Sequence, residues 1–171
     1  MEVIIQPNAA AARELSANLI ADALRAKPNL VLGLATGRTM EALYARLVKE
    51  HVEHNLDFSG VTTFNLDEYV GLTRRHPQSY HYFMHQNLFK HINLEPQNIH
   101  VPSGTTSNYH AFCQWYEDRI EECGGIDVQT LGIGGVNTSA LLVSSAGLLI
   151  VVGTVRDTFF NIEAELKIHG Y

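Results

Sequence analysis

The sequence predicts an α/β fold: a Rossmann-like, mostly parallel sheet with helices on both faces. Two observations carry this reading. Short apolar runs alternate along the chain with longer segments whose apolar residues recur at helical spacing, the order expected when parallel strands are joined by helical crossovers. The runs themselves, such as "LVLGLA" at 30–35 and "VTTFNL" at 61–66, are close to continuously apolar, as strands covered on both faces should be.

Taken in order, the first strand is "EVII" at 2–5. It is followed by a helix over 10–26 that carries Leu15, Leu19, Ile20, Ala23 and Leu24 on one face. Pro28 and Asn29 stop it. After the second strand, "LVLGLA", the helical period resumes over 39–54 through Met40, Leu43, Leu47 and Val48. "VTTFNL" is the third strand. Residues 79–92 form the next helix with Ser79 as its N-cap. Another runs over 109–122 and ends at Gly124 and Gly125, where a left-handed residue is wanted. Val128–Ile133 and Leu148–Val152 are two more buried strands, the latter with the aliphatic run of a central one, and 134–147 is the crossover between them. Asp157 caps a closing helix with an apolar stripe of Phe159, Phe160, Ile162 and Leu166.

A chain of 171 residues with 46% hydrophobic content supplies one sizeable core, so a single domain over 1–171 is expected. Its net charge of −6 argues against a nucleic-acid surface or a basic membrane patch, since both need clustered Lys and Arg. Cys113 and Cys123 sit on one helix at a separation of about 15 Å by the helical rise, too far for a disulfide. Together with a start that has no basic and apolar leader, this predicts a reducing cytoplasm. The uncharged stretch from Val128 to Val155 is long enough to span a bilayer, but Gln129, Thr130, Asn137, Thr138, Ser144 and Ser145 interrupt it.

In an open parallel sheet the ligand lies beyond the carboxyl ends of the strands. The loop "GLATGRTME" at 33–41 sets Gly33, Thr36, Gly37 and Thr39 between a strand and a helix. Its backbone N–H groups and hydroxyls suit a phosphate, and Arg38 adds charge. The same residues also suit an ordinary capped helix start. The second loop, "FNLDEYVGL" at 64–72, brings Asp67 and Glu68 side by side. Their repulsion raises the pKa of one of them and suits it to proton transfer; the alternative is an acidic helix start with Asp67 as the cap. His81 and His85 share a helix face and allow a metal pair, but no third ligand is evident and no metal site is assigned.

Four strings in this order and spacing, "GLATGRT", "FNLDEYVGL", "HPQSYHYFMHQNLF" and "IDVQTLGIGG", resemble the glucosamine-6-phosphate deaminase family over residues 1–135. The resemblance implies a sugar-phosphate isomerase/deaminase-like domain that converts glucosamine 6-phosphate and water to fructose 6-phosphate and ammonia, with no cofactor. It carries phosphate contact to Thr36, Gly37 and Thr39, proton transfer between C2 and C1 to Asp67, and substrate packing to Tyr80; Arg38 and Glu68 are expected to bind substrate from their places in the two loops. The family commonly has a small residue where this chain has Arg38 and a proline at Met40. Beyond Gly135 the family continues with a ring-opening histidine and acids, whereas this chain reads "GGVNTSALLVSSAG". The tail from 136 to 171 therefore departs from the pattern. A non-catalytic sugar-phosphate-binding relative stays open as an alternative, as does a lactonase sharing the fold. The expected partner is a small sugar phosphate, with neither nucleic acid nor membrane, and the apolar faces leave a homo-oligomer open.

Overall fold

A computed structural model of the chain describes residues 2–132, 140–143 and 148–152. The elements run β1 (Glu2–Ile5), α1 (Ala9–Ala26), β2 (Val31–Leu34), α2 (Arg38–His54), β3 (Thr62–Asn65), α3 (Tyr80–Asn87), β4 (Ile99–His100), α4 (Tyr109–Glu122), β5 (Val128–Gly132), β6 (Ala140–Val143) and β7 (Leu148–Val152), with short 3₁₀ turns at Phe89–His91 and Pro96–Asn98. Five strands form a parallel sheet in the order β4-β3-β2-β5-β7. The α/β class is as the alternation of runs implies.

Several details differ from the sequence reading: it holds no strand at β4, and the helix read over 79–92 is α-helical only over Tyr80–Asn87. β1 does not join the parallel sheet but pairs antiparallel with β6, Glu2 opposite Val143 and Ile5 opposite Ala140. β6 lies inside the stretch expected to be a plain crossover, and a four-residue apolar run cannot declare from its own pattern that its partner lies at the other end of the chain. β7, read as central, stands at the end of the described strand order. The closing helix expected over 157–170 lies outside the described residues.

Alternation along β2 divides the core, because successive strand residues point to opposite faces. Leu32 and Leu34 pack with Ile20 and Leu24 of α1 and with Leu43, Tyr44 and Leu47 of α2. Val31 joins Phe64 of β3 and Tyr116 of α4 in a second cluster. Each such buried aliphatic stabilises the fold by roughly 1.5–3 kcal/mol. At the amino edge of the sheet, Asp127 accepts from the Val31 N–H at 2.8 Å and pairs with Lys27 at 2.7 Å, tying the start of β5 to the turn after α1. Cys113 and Cys123 are both free thiols. No helix among the described residues is long and apolar enough to cross a membrane.

The strand order has a functional consequence. From β2 the chain moves outward to β3 and β4, then returns to lay β5 on the other side of β2. The strand order thus reverses at β2, and in open parallel sheets ligands bind beyond the carboxyl ends of the strands at such a point.

Candidate active site

The loop leaving β2 is held from two sides. Thr130 Oγ1 donates to the Gly33 carbonyl at 3.0 Å, and the fully buried Tyr44 hydroxyl donates to the Ala35 carbonyl. Burial pushes the Tyr44 phenol well above its usual range, so it stays a neutral donor. Beyond Ala35 the chain turns through Gly37, whose φ of 117° and ψ of 162° suit glycine and strain any other residue. Gly37 is the N-cap of α2 and supplies no side-chain acceptor. In α1, α3 and α4, by contrast, the side chains of Asn8, Ser79 and Asn108 accept from the first turn. The Met40 N–H donates to the Gly37 carbonyl at 3.0 Å, while no side chain caps the amides of Arg38 and Thr39, and neither Thr36 nor Thr39 takes the capping role that the sequence also allowed.

At the end of β3 the strand is fixed by Tyr116, whose single hydroxyl donor is shared between the carbonyls of Asn65 at 2.9 Å and His100 at 3.0 Å. Asn65 is buried, and its Nδ2 reaches the Leu34 carbonyl at 3.4 Å, linking the mouths of β3 and β2. Two residues later comes Asp67. No helix starts there, since the chain runs without one until Tyr80. Partial burial of its carboxyl, followed by the charge of Glu68, raises the Asp67 pKa above its ordinary 3.8. Glu68 faces the other way. Its Oε1 accepts from the N–H groups of Tyr69 and Tyr80, each at 2.8 Å, and its Oε2 accepts from His81 N at 3.0 Å. It therefore occupies the positive end of α3, where a carboxylate is stabilised.

Tyr80 joins the two loops. Its ring lies 4.7 Å from that of Tyr69, tilted by 40°. Its phenol is pushed up to about 12 by a hydrogen bond with Tyr69, then by burial and by the negative charge of Asp67, while a hydrogen bond with the Thr36 hydroxyl opposes the shift. Tyr80, Gly37 and Arg38 line one cavity of about 570 Å³ together with Tyr69, Leu72 and Phe83, a volume within the usual range for small-molecule sites. Thr36, Thr39, Asp67 and Glu68 are not among its lining residues. Glu68 is linked to it through the N–H groups of Tyr80 and His81 that it accepts from.

Gly104 is a residue that sequence reasoning missed. A Cβ placed on it would lie 2.3 Å from the Tyr69 carbonyl oxygen and 2.6 Å from that of Leu72, and the Gly71 N–H donates to its own carbonyl at 2.6 Å. Those oxygens are backbone and cannot swing aside. Gly104→Ala is expected to displace the 69–72 wall, to cost about 1–3 kcal/mol as other overpacking changes do, and to move the Tyr69 and Tyr80 amide resonances. Denaturant unfolding and a backbone amide spectrum check both effects. No histidine is among the lining residues of this cavity, and among the described residues no group of three or more His, Cys, Asp or Glu could hold a metal ion.

Over most of its length the chain is similar to known proteins. The family model described as glucosamine-6-phosphate isomerases/6-phosphogluconolactonase matches residues 6–135. Glucosamine-6-phosphate deaminase 2 of Bacillus subtilis is 50% identical over 134 residues, covering 78% of this chain and 54% of that protein. Glucosamine-6-phosphate deaminase of Shewanella woodyi is 44% identical over 149 residues, covering 87% of this chain and 56% of that one. The chain therefore spans about half the length of the curated relatives it matches. Among solved structures, a monomeric glucosamine-6-phosphate deaminase superposes with a TM-score of 0.75 at 40% identity, over 78% of this chain and 56% of that one. A 6-phosphogluconolactonase from Thermotoga maritima superposes at 0.61 with 19% identity, over 77% of this chain and 58% of that one, which shows the shared fold alone.

Proposed function

This chain belongs to the glucosamine-6-phosphate isomerase/6-phosphogluconolactonase family, and from that premise we propose that its cavity binds glucosamine 6-phosphate and carries the proton-transfer half of its deamination. The observation that carries the proposal is the position of Tyr80, which lines one cavity with Gly37 and Arg38 of the first loop and lies 4.7 Å, ring to ring, from Tyr69 of the second. A sugar phosphate bridging those loops sets its phosphate on the free amides of Gly37, Arg38 and Thr39, with the Arg38 guanidinium and the Thr36 and Thr39 hydroxyls beside them. Its C1–C2 unit then lies towards Asp67. As carboxylate, Asp67 takes the C2 proton of the opened sugar and returns it to C1, after which the nitrogen leaves as ammonia with uptake of water. Tyr80 packs on the sugar, and Glu68 holds the end of α3 that carries it. The deaminase reading is preferred to the lactonase because the relatives at 44–50% identity are named deaminases, whereas the likeness to lactonases rests on fold.

Ring opening needs a further acid-base group, and "GGVNTSALLVSSAG" contains neither histidine nor carboxylate. Loss of one such group lowers turnover by on the order of 10²–10⁴-fold. We therefore expect this chain to bind glucosamine 6-phosphate and to exchange its C2 proton, but to release ammonia well below the roughly 1–10³ s⁻¹ of ordinary enzymes. Titration followed by backbone amide spectra should move Gly37, Arg38, Thr39 and Tyr80, less strongly at high salt. Shifts confined to other parts of the chain would reject the site. Ammonia release at the ordinary rate would reject the account of ring opening.

A further inference from the structure

The turn and helix that wall the active-site cavity have a second side. Tyr80 and Phe83 of α3 line the first cavity, whereas His81, Tyr82, His85 and Gln86 line another of about 430 Å³, closed by Arg74 and Arg75 of the preceding turn. The 3.6-residue helical period separates the two sets, so one eight-residue helix is the common partition. The lining of the second cavity contains two guanidinium groups, two imidazoles and no carboxylate, in a chain whose net charge is −6. Arg25, Arg46 and Arg119 are ion-paired within the chain, whereas among the described residues Arg74 and Arg75, like the separate Arg13 and Arg38, meet no carboxylate, and only Arg74 and Arg75 line this cavity. The turn is also held, since the Arg74 carbonyl accepts from Ser79 Oγ at 3.3 Å. Cations gathered without a counter-charge repel one another, and the arrangement gains when an anion enters. The His81 pKa is lowered by burial first, then by Arg74 and His85, with Glu68 the one acid opposing the shift.

We propose that this cavity is a second anion site, distinct from the active-site cavity, which takes a small phosphate-bearing molecule of at least two negative charges. Guanidinium groups bind phosphate oxygens through paired N–H donors. The imidazoles supply ring N–H groups, and the part-exposed Tyr82 ring offers a flat wall for the remainder of the molecule. A ligand here touches the face of α3 opposite Tyr80, so it is placed to alter the other cavity through the helix they share.

Pyrophosphate, titrated at constant ionic strength, is the probe. The ring resonances of His81 and His85 should shift saturably, and the titration pKa of His81 should rise on binding because the anion relieves the repulsion from Arg74 and His85. Arg74→Ala and Arg75→Ala should each weaken binding by about tenfold or more, the range of a charged hydrogen bond. The exposed His85→Gln should weaken it as well, and serves if the arginine variants fold poorly. The Gly37–Thr39 amides report the other cavity in the same spectra, so failure of either site is visible without the other. Shifts that never saturate, or that saturate identically in the arginine and histidine variants, would overturn the proposal.

Discussion

Asp67→Asn is expected to abolish exchange of the C2 proton of glucosamine 6-phosphate with solvent while leaving the affinity for the sugar phosphate within a few-fold. Removing the group that moves the proton costs on the order of 10²–10⁴ in rate, whereas the phosphate rests on backbone amides of α2 that the change does not touch. Deuterium incorporation at C2, measured beside an amide titration of Gly37–Thr39, separates the two. The pH dependence carries a sign. Only the carboxylate can accept the proton, and burial and Glu68 hold the Asp67 pKa above 3.8. Exchange should therefore fall away on acidification at a higher pH than an ordinary aspartate would give. The raised pKa also means that the folded chain disfavours the charged form. Asp67→Asn should accordingly be no less stable than wild type at neutral pH, the trade between stability and activity typical of such sites. An undiminished exchange rate would remove Asp67 from the reaction.

The largest expected effect on stability lies away from the site, at Glu50. Its side chain is only 6% exposed, yet it is charged. It meets Arg25 at 3.1 Å, Arg46 at 2.6 Å and His54 at 3.2 Å, and Arg46 extends the network to Glu14 at 2.7 Å. Burial alone would raise its pKa, but the charge of Arg46 and its bonds to Arg25 and Arg46 overcome this and hold it below its ordinary 4.5. Glu50→Ala leaves Arg46 without its inner partner and opens the packing between α1 and α2. Breaking a fully buried pair costs roughly 3–5 kcal/mol. Because Arg25 is half exposed here, about 2–3 kcal/mol is expected, read as a lower denaturant midpoint. A depressed carboxylate pKa stabilises the fold above the unfolded value and ceases to do so as pH falls through the folded one. The gap between wild type and variant should therefore be full at neutral pH and close in acid below 4.5. A gap that persists unchanged in acid would assign the loss to packing and not to charge.

The legible parts of the site are those whose chemistry is local. An apolar run, then "TGRT", then a helical period is enough to expect free amides after β2, since strand end, turn and helix start follow one another within a few residues. Asp67 and Glu68 were legible as a pair but not in their division of labour. Glu68 turns away because the N–H groups of Tyr80 and His81, twelve and thirteen residues later, return to it. That return depends on how the intervening turn folds. Gly104 carried no local mark, as the carbonyls that crowd it belong to Tyr69 and Leu72. Glu50 likewise has the same local helical context as the exposed Glu53, and only the approach of α1 distinguishes them.

By itself the sequence determined the α/β class and the succession from α1 to α3, then α4 and β5, because periodicity, caps and breakers act within a few residues of one another. Tertiary structure alone decided that β1 pairs with β6 outside the parallel sheet, that Tyr80 shares a cavity with Gly37 and Arg38, and that α3 divides that cavity from a cationic one. Those outcomes depend on which distant groups come to share a small volume, and hydrogen bonding and charge at a few ångströms act on that proximity without leaving any trace in the local order of residues.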